Sequence, residues 1–465
     1  MRCQLDYLAR CNPVRLENAL NELPATLDET YERALGKIED VYWEDARRLL
    51  QCITVASRPL KVEQLADILA CDFEAGPIPK FRKESPLTDP VEAMLPTCPT
   101  LISLVNVESA QVVQFAHFSV KEFLTSTRFA EKRDAISNRY HIPMTAAHTV
   151  ITQACLGMLL HLDENITRDN LMELPLAEYA AEHWFEHGRV DTVSKSVTEG
   201  MKQLFDETKP HFAVWLWICD PSAPWRRNER TERPPRPHGT PLHYAAICGL
   251  CDVVKGLAID PMDVNSQYFP YESTPLHLST QKGHADIARI LVERGTNVAS
   301  QLQGVWTPLH EASCHGCLDI ARFLVEHRAN VIVQDQSGST PLHEASSKGH
   351  LDIAWILVEH GANAAAQDQG GSTPLHEASW NGHHDVVLFL VEHGANAAAQ
   401  DQGESTPFHE ASSNGHFDIA RILVENGANA ATQDQCGSTP LHEASSNSHF
   451  HVAQFLVEHS ANTVA

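Results

Sequence analysis

The chain contains the sequence STPLHEASSKGH at residues 339–350 and, 33 residues later, the nearly identical STPLHEASWNGH at residues 372–383. A repeat of this length is the signature of a solenoid, in which each unit buries its apolar face only by stacking on its neighbours. The motif Thr-Pro-(Leu/Phe)-His recurs along the second half of the 465-residue chain. Its opening threonines are Thr240, Thr274, Thr307, Thr340, Thr373, Thr406 and Thr439, separated once by 34 residues and then by 33.

Each repeat contains signals for two short helices. Thr340 is a helix N-cap, and Pro341 takes the first helical position, where the missing N–H breaks no hydrogen bond. His343 follows the cap by three residues, a position from which a side chain bonds back to the cap. The pattern predicts a first helix over 341–347, a second over 351–360 and a finger-like turn over 363–372.

The motif histidines invite a catalytic or metal-binding interpretation. Thr373, Pro374 and His376 repeat the arrangement of Thr340, Pro341 and His343. Because every motif histidine comes with its own threonine, we interpret these residues as a structural hydrogen bond. The sequence predicts no catalytic, metal-binding or cofactor-binding residue, and no cofactor.

This period and motif resemble the ankyrin repeat, over residues 238–465. The resemblance implies seven repeats that form an α-solenoid with β-hairpin fingers. It also implies that the residue after each motif histidine faces a concave groove in which ankyrin proteins bind partner proteins.

The expected groove is acidic. From Pro241 to the end of the chain there are 25 acidic and 8 basic residues. Trp380 follows one groove glutamate by three residues, where other repeats have serine. The candidate partner contacts are Glu311, Glu344, Glu377, Trp380, Glu410 and Glu443. Two interpretations stay open: a groove for a basic protein partner, or a solvated acidic face multiplied by copying one repeat.

Further acidic residues lie in the fingers. The finger aspartates, which we expect to add to the acidic surface, are Asp335, Asp368, Asp401 and Asp434.

The last repeat departs from the pattern. Ser460 replaces the glycine that ends the second helix elsewhere, and we expect Phe455 and Leu456 to be partly uncovered.

Composition excludes several functional classes. The chain has 35 Lys and Arg against 60 Asp and Glu, a net charge of −25, which disfavours nucleic-acid and anionic-membrane partners. The sequence shows no transmembrane run and no secretory signal. The 12 cysteines fit reduced thiols of a cytoplasmic protein, with the nucleus left open. Two CxxC pairs, at Cys248/Cys251 and Cys314/Cys317, lie too far apart along the chain for a zinc ribbon.

The first half has a different pattern. Helices are predicted after the cap Thr26, over 46–55 and around 62–69, and again over 148–162, 176–187 and 190–205. Residues 101–107 and 111–116 alternate in polarity and predict a β-hairpin. Three helices followed by a hairpin predict a winged helix over residues 40–135.

Three segments carry a second resemblance: LPATLDETYER at 23–33, QFAHFSVKEFL at 114–124 and PLAEYAA at 175–181. They resemble the region after the nucleotide-binding module in fungal NACHT–ankyrin proteins, which are NLR-like STAND ATPases. The resemblance implies a winged helix of the type named after a GPI inositol-deacylase. The chain departs from that family because it has no G-x-x-x-x-G-K-[ST] phosphate loop.

The resulting domain prediction has five parts. They are remnant helices of the NACHT C-terminal end over 1–39, a winged helix over 40–135, a helical domain over 136–220, a Pro/Arg-rich linker over 221–237 and seven ankyrin repeats over 238–465. The linker has five Pro and five Arg, and we expect it to be extended. The whole chain is predicted to be mainly α.

Three functions are weighed. The first is a non-catalytic protein-interaction module, an NLR-like sensor or adaptor acting through the ankyrin groove. The second is a fragment of a nucleotide-gated receptor whose ATPase lies upstream. The third is a DNA-associated regulator acting through the winged helix, but residues 41–130 contain 9 basic and 11 acidic residues and lack the basic stripe of a DNA reader.

Overall fold

The structure of the chain is a computed structural model. It describes residues 26–82, 101–107, 110–190, 193, 195–223, 237–268, 272–302 and 305–463. The chain forms two compact units, Met1–Pro237 and His238–Ala465. It is mainly helical, with 56% helix and 5% strand, which confirms the predicted fold class. No helix of the described residues is both long and apolar enough to cross a membrane.

The first unit begins with a helical and β-hairpin segment. Strands β4 (Ile102–Val107) and β5 (Ala110–Phe115) pair antiparallel with Leu104 opposite Val113, which agrees with the predicted hairpin. The turn of this hairpin, at 108–109, lies outside the described residues. Strand β1 (Leu60–Lys61), which the sequence analysis missed, adds a third strand beside β5. This strand has only two residues, which are too few to produce an alternating pattern of polarity in the sequence. The elements are α1 (Leu27–Leu35), α2 (Trp43–Val55), β1 (Leu60–Lys61), α3 (Val62–Leu69), β2 (Cys71–Asp72), β3 (Lys80–Phe81), β4 (Ile102–Val107), β5 (Ala110–Phe115), α4 (Phe118–Thr125), α5 (Thr127–Glu131) and α6 (Ala135–Tyr140).

The rest of the first unit is helical. Trp184, Phe205 and Trp215 pack edge to face, with ring centroids 5.5–6.1 Å apart, and form its core. Trp215 also donates its indole N–H to the Ala181 carbonyl at 3.0 Å. The elements are α7 (Met144–His161), α8 (Arg168–Met172), α9 (Pro175–Gly188), α10 (Lys195–Leu204) and α11 (His211–Ile218). The helix predicted from residue 190 begins later, as α10, and α11 was not predicted. Most of the linker, at 224–236, lies outside the described residues.

The second unit consists of helix pairs in series. The motif threonines cap the first helices, which are α12 (Pro241–Cys248), α15 (Pro275–Gln281), α17 (Pro308–His315), α19 (Pro341–Lys348), α21 (Pro374–Asn381), α23 (Pro407–Ser413) and α25 (Pro440–Ser446). The second helices are α13 (Cys251–Leu257), α16 (Ala285–Glu293), α18 (Leu318–Glu326), α20 (Leu351–Glu359), α22 (His384–Glu392), α24 (Phe417–Glu425) and α26 (Phe450–Thr463). The short helix α14 (Pro261–Val264) lies between the first two repeats.

The motif histidine links each repeat to the next. In α19, the Nδ1 atom of His343 accepts from the backbone N–H of Thr340 at 3.1 Å and lies 2.9 Å from its hydroxyl oxygen. Its Nε2 atom donates to the carbonyl of Ser372, in the following finger, at 3.1 Å. His376 repeats these contacts with Thr373 and with Ser405. Both histidines are buried, and desolvation lowers their pKa and keeps them neutral.

A second histidine links each repeat to the previous one, and the sequence analysis missed it. The Nε2 atom of His350, just before α20, bonds the carbonyl of Cys314 at 3.3 Å. The glycine that ends each preceding first helix leaves room for this ring, since a Cβ on Gly316 would lie 2.6 Å from His350. The equivalent histidines are His284, His383, His416 and His449, whereas Cys317 takes this place in the third repeat. The sequence signal for this second histidine is a Gly-His pair that recurs at the repeat spacing.

A column of serines lies inside the stack of first helices. Their hydroxyl groups are fully buried and have no hydrogen-bond partner. At the equivalent place in α15, the hydroxyl of Thr280 donates to the carbonyl of Leu276 at 2.8 Å. The buried column consists of Ser313, Ser346, Ser379 and Ser412.

The fingers are tight hairpin-like turns. In one finger, the N–H of Asp335 bonds the carbonyl of Ser339 at 2.9 Å, and successive fingers bond each other, as in Gln369 N–H to Ser337 at 2.8 Å. Among the described residues of this unit, paired β residues occur only as the bridge between Tyr268 and Ser273.

The last repeat differs from the expectation. Leu456 is only 1% exposed, so the prediction that it is partly uncovered was wrong, whereas Phe455 is partly exposed as expected. Phe455 packs edge to face on Phe417, with ring centroids 5.5 Å apart. The second helix continues to Thr463, because Ser460 replaces the left-handed glycine that ends the helix elsewhere.

Candidate partner-binding groove

Five glutamates occupy the fourth position of consecutive first helices. Glu344 interacts electrostatically with Glu311 and Glu377, and Glu410 interacts with Glu377 and Glu443. The carboxylates thus form one continuous row, which we call the glutamate column. The structure brings together the five acidic residues that the sequence selected.

The column is more buried than a solvated surface. Glu311 is only 7% exposed, and the other four glutamates are partly buried. Desolvation raises the pKa of Glu311, Glu377 and Glu410. Desolvation, with the neighbouring charges of Asp335 and Glu377, raises the pKa of Glu344 to about 7. A cation brought into the column therefore meets carboxylates that water solvates poorly.

The N-terminal end of the column has basic side chains beside it. Four residues after Glu311, on the same face of α17, the Nδ1 atom of His315 lies 3.3 Å from the carboxylate. The charge of Lys348, at the same spacing in α19, lowers the pKa of Glu344 against the larger effects of burial.

Further along, asparagine replaces the basic residue. Asn381 and Asn414 take its place, and their side-chain amides bond the backbone carbonyls of Glu377 and Glu410. Glu377 accepts from the hydroxyl of Ser372 at 3.3 Å and also bonds Ser347, and Glu410 accepts from the hydroxyl of Ser405 at 3.1 Å. Neither carboxylate makes an ion pair with a cation of the described residues. The charge of Lys348 still lowers the pKa of Glu377, but burial raises it more.

Trp380 lies between Glu377 and Glu410 along the chain. Its side chain is 50% exposed, and the neighbouring repeats have the small residues Ser347 and Ser413 at this position. The backbone is held in place because the carbonyl of Trp380 accepts from Nε2 of His416 at 3.1 Å. A half-exposed indole on the same helix as the partly buried Glu377 is suited to bind an alkyl-ammonium or guanidinium side chain, because the ring face and the carboxylate both attract a cation.

The finger aspartates have a structural task as well as a charge. In the third finger, Oδ1 of Asp335 accepts from the N–H groups of Ser337 and Ser339, both at 2.8 Å. Asp368, Asp401 and Asp434 hold their own turns in the same way. Their charges also reach the column, since Asp368 contributes to the raised pKa of Glu377.

Among the described residues of the first unit, the polar cluster around Ser57 is not arranged as a serine nucleophile beside its base. The hydroxyl of Ser57 bonds the carboxylate of Glu186 at 2.5 Å, and His183 bonds the same carboxylate instead of the serine. His117 caps α4 by accepting from the N–H of Ser119. Within the parts of the chain that the structure describes, no three His, Cys, Asp or Glu side chains are arranged to hold a metal ion.

Comparisons with known proteins agree with this architecture. The family model of ankyrin repeats matches in three copies, at residues 242–335, 328–401 and 394–465. The family model of the GPI inositol-deacylase winged helix domain matches residues 37–136.

A curated relative, the azaphilone pigments biosynthesis cluster protein L of Monascus ruber, is 31% identical over 310 residues. The match covers 62% of this chain, and the chain spans 63% of the relative's length. The C-terminal region of the protein is therefore built from ankyrin repeats, and a GPI-inositol-deacylase-type winged helix precedes them.

Proposed function

We propose that the protein is a non-catalytic protein-interaction module whose ankyrin groove captures a basic segment of a partner protein. The observation that carries this proposal is the pair of partly buried carboxylates at Glu377 and Glu410, which make no ion pair among the described residues and lie on the same helix as the half-exposed Trp380 and on the next first helix. A lysine or arginine inserted here gains two poorly solvated carboxylates and an aromatic face. The remaining glutamates of the column extend the same preference along the groove.

The winged helix and the ankyrin repeats together support an NLR-like sensor or adaptor of fungal type. The Monascus ruber relative, named for a pigment biosynthesis cluster, supports a fungal source. We place the module in the cytoplasm, because Cys52, Cys71 and Cys155 are buried thiols outside any disulfide, as in proteins of a reducing compartment.

The proposal is tested by selecting a displayed random peptide library on the full chain. We expect enrichment of peptides with clustered Lys or Arg. The double variant Glu377→Lys and Glu410→Lys should bind a selected peptide at least tenfold more weakly, and binding to the unaltered protein should weaken as salt rises. A matched control, Glu326→Lys with Glu425→Lys, makes the same charge change at exposed positions of other second helices and should retain most of the binding. Selection of neutral peptides, or equal losses in both double variants, would refute capture by the groove.

A second candidate is that the chain acts as part of a nucleotide-gated receptor. It is favoured by the winged-helix match, because this domain follows an ATPase module in NACHT–ankyrin proteins, and by the relative, which extends beyond the match. Determining the 5′ end of the native transcript tests this candidate. An in-frame upstream exon encoding a phosphate loop supports it, whereas a transcript without such an exon excludes it.

A further inference from the structure

The outer face of the repeats contains a second surface that the groove does not use. The fifth residue of the second helix is exposed in six consecutive repeats. In four of them it is polar, but in α20 and α22 it is Trp355, 48% exposed, and Leu388, 39% exposed. The polar residues at this position are Arg289, Arg322, Arg421 and Gln454.

Neither apolar side chain is needed for the core. In α20, Ile353 and Leu357 are buried and form the packed face of the helix, whereas Trp355 points away from it. The neighbouring helices α18 and α24 fold with arginine at this position. Two exposed apolar residues thus stand side by side in a position where the same helix accepts a polar residue.

The Asp, Glu, Lys and Arg charges within α20 and α22 have one sign, whereas Arg322 and Arg421 stand at the same position of the flanking helices. Neither α20 nor α22 contains Lys or Arg. Each apolar residue is preceded by an exposed aspartate three positions earlier and followed by an exposed glutamate four positions later, on the same helix face. We call this surface the outer patch; it consists of Trp355, Leu388, Asp352, Glu359, Asp385 and Glu392.

We propose that the outer patch docks an amphipathic helix of a partner protein, with two apolar side chains seven residues apart and Lys or Arg beside them. Packed helices lie about 8–10 Å apart, which sets the separation of Trp355 and Leu388. Residues i and i+7 of an α-helix lie on one face, about 10.5 Å apart. The two apolar anchors of such a helix therefore match the two repeats, and its cations face the four carboxylates.

A synthetic probe tests this proposal without knowledge of the partner. The probe is a fluorescein-labelled helical peptide with two leucines seven residues apart and flanking lysines, and its binding to the full chain is followed by fluorescence anisotropy. The double variant Trp355→Gln and Leu388→Gln removes the apolar anchors without adding charge, and Gln454 shows that the helix accepts glutamine there. We expect this variant to bind at least tenfold more weakly.

Two controls separate the outer patch from the groove and from charge alone. The glutamine variant and its parent are also compared in the background Glu377→Lys with Glu410→Lys, where cation binding by the groove no longer contributes to the anisotropy and the tenfold difference should persist. A probe with both leucines replaced by serine should lose at least tenfold in affinity. The proposal is overturned if the glutamine variant keeps its affinity, or if the serine probe binds as well as the leucine probe. It is also overturned if the unaltered chain self-associates in sedimentation and the glutamine variant does not, because the patch then takes a second copy of the chain.

Discussion

Removing the hydroxyls of the buried serine column should stabilise the protein. Ser346, Ser379 and Ser412 are 0% exposed, and their hydroxyl oxygens have no hydrogen-bond partner. A buried polar group without a partner destabilises the folded state by about 1–3 kcal/mol. Alanine also has a helix propensity about 0.5 kcal/mol better than serine. We therefore expect each Ser→Ala change to raise the free energy of unfolding by about 1–2 kcal/mol.

A matched control exists at the same repeat position. The hydroxyl of Thr280 is equally buried but donates to the carbonyl of Leu276 at 2.8 Å. Thr280→Val deletes this hydroxyl while keeping the shape of the side chain, so it loses a hydrogen bond worth about 1 kcal/mol. Deleting the side-chain hydroxyl should therefore raise the free energy of unfolding at the serines and lower it at Thr280.

Native-state hydrogen exchange followed by mass spectrometry is the suitable measurement, because it reports the opening of each repeat separately. Every 1.4 kcal/mol of added stability slows exchange about tenfold. We expect slower exchange in α19, α21 and α23 for the alanine variants, and faster exchange in α15 for Thr280→Val. Unchanged or faster exchange in all three alanine variants would show that the serine hydroxyls do have partners, and would refute the reasoning.

Three further predictions follow from local geometry. Gly382 has a left-handed backbone, and Gly382→Ala also places a Cβ 2.6 Å from the ring of His416, so urea denaturation should show a free energy of unfolding lower by about 2–3 kcal/mol. Gly394 is equally left-handed, but a Cβ there meets no atom within 4 Å, so Gly394→Ala should lower the free energy of unfolding by only about 1 kcal/mol. Glu344→Gln should be more stable than the unaltered protein by roughly 1 kcal/mol at pH 8 and equally stable below about pH 4.5. The reason is that the pKa of Glu344 is raised to about 7 in the folded state, so the unaltered protein loses stability as pH rises from the pKa of the unfolded chain through that of the folded protein. A difference between the two urea midpoints that does not change with pH contradicts this prediction. Among the described cysteines, the exposed Cys436 should be alkylated by iodoacetamide at pH 8 in the native state, whereas burial raises the pKa of Cys52 and Cys71 to about 12 and should leave both unmodified in peptide mapping.

The sequence predicts the repeat architecture well because its signals are local. Thr340, Pro341 and His343 act within one helical turn, so the cap can be predicted before any tertiary contact is known. The position of the glutamate column follows from the same register. The register does not predict how deeply the glutamates are buried, because the partial exclusion of water from Glu344 arises from packing between repeats.

Non-local contacts explain the features that were missed. The histidine before each second helix bonds a carbonyl 36 or 37 residues earlier, which no local pattern indicates. Strand β1 exists only because Leu60 and Lys61 meet β5, about 50 residues later in the chain. The outer patch likewise becomes visible only when two second helices are seen side by side, since a single Trp355 in an amphipathic helix reads as part of the core.

The two histidine links make the fourth, fifth and sixth repeats compatible with their own copies. Each of these repeats bonds the next one through the motif histidine and the previous one through the histidine after its first helix, and it offers the matching carbonyls to both neighbours. Insertion or loss of 33 residues in frame at these repeats therefore leaves no link without its partner, and it lengthens or shortens the groove by one glutamate. If the groove captures a partner as proposed, duplication of a repeat changes the length of partner segment that it can hold while every contact between repeats stays the same.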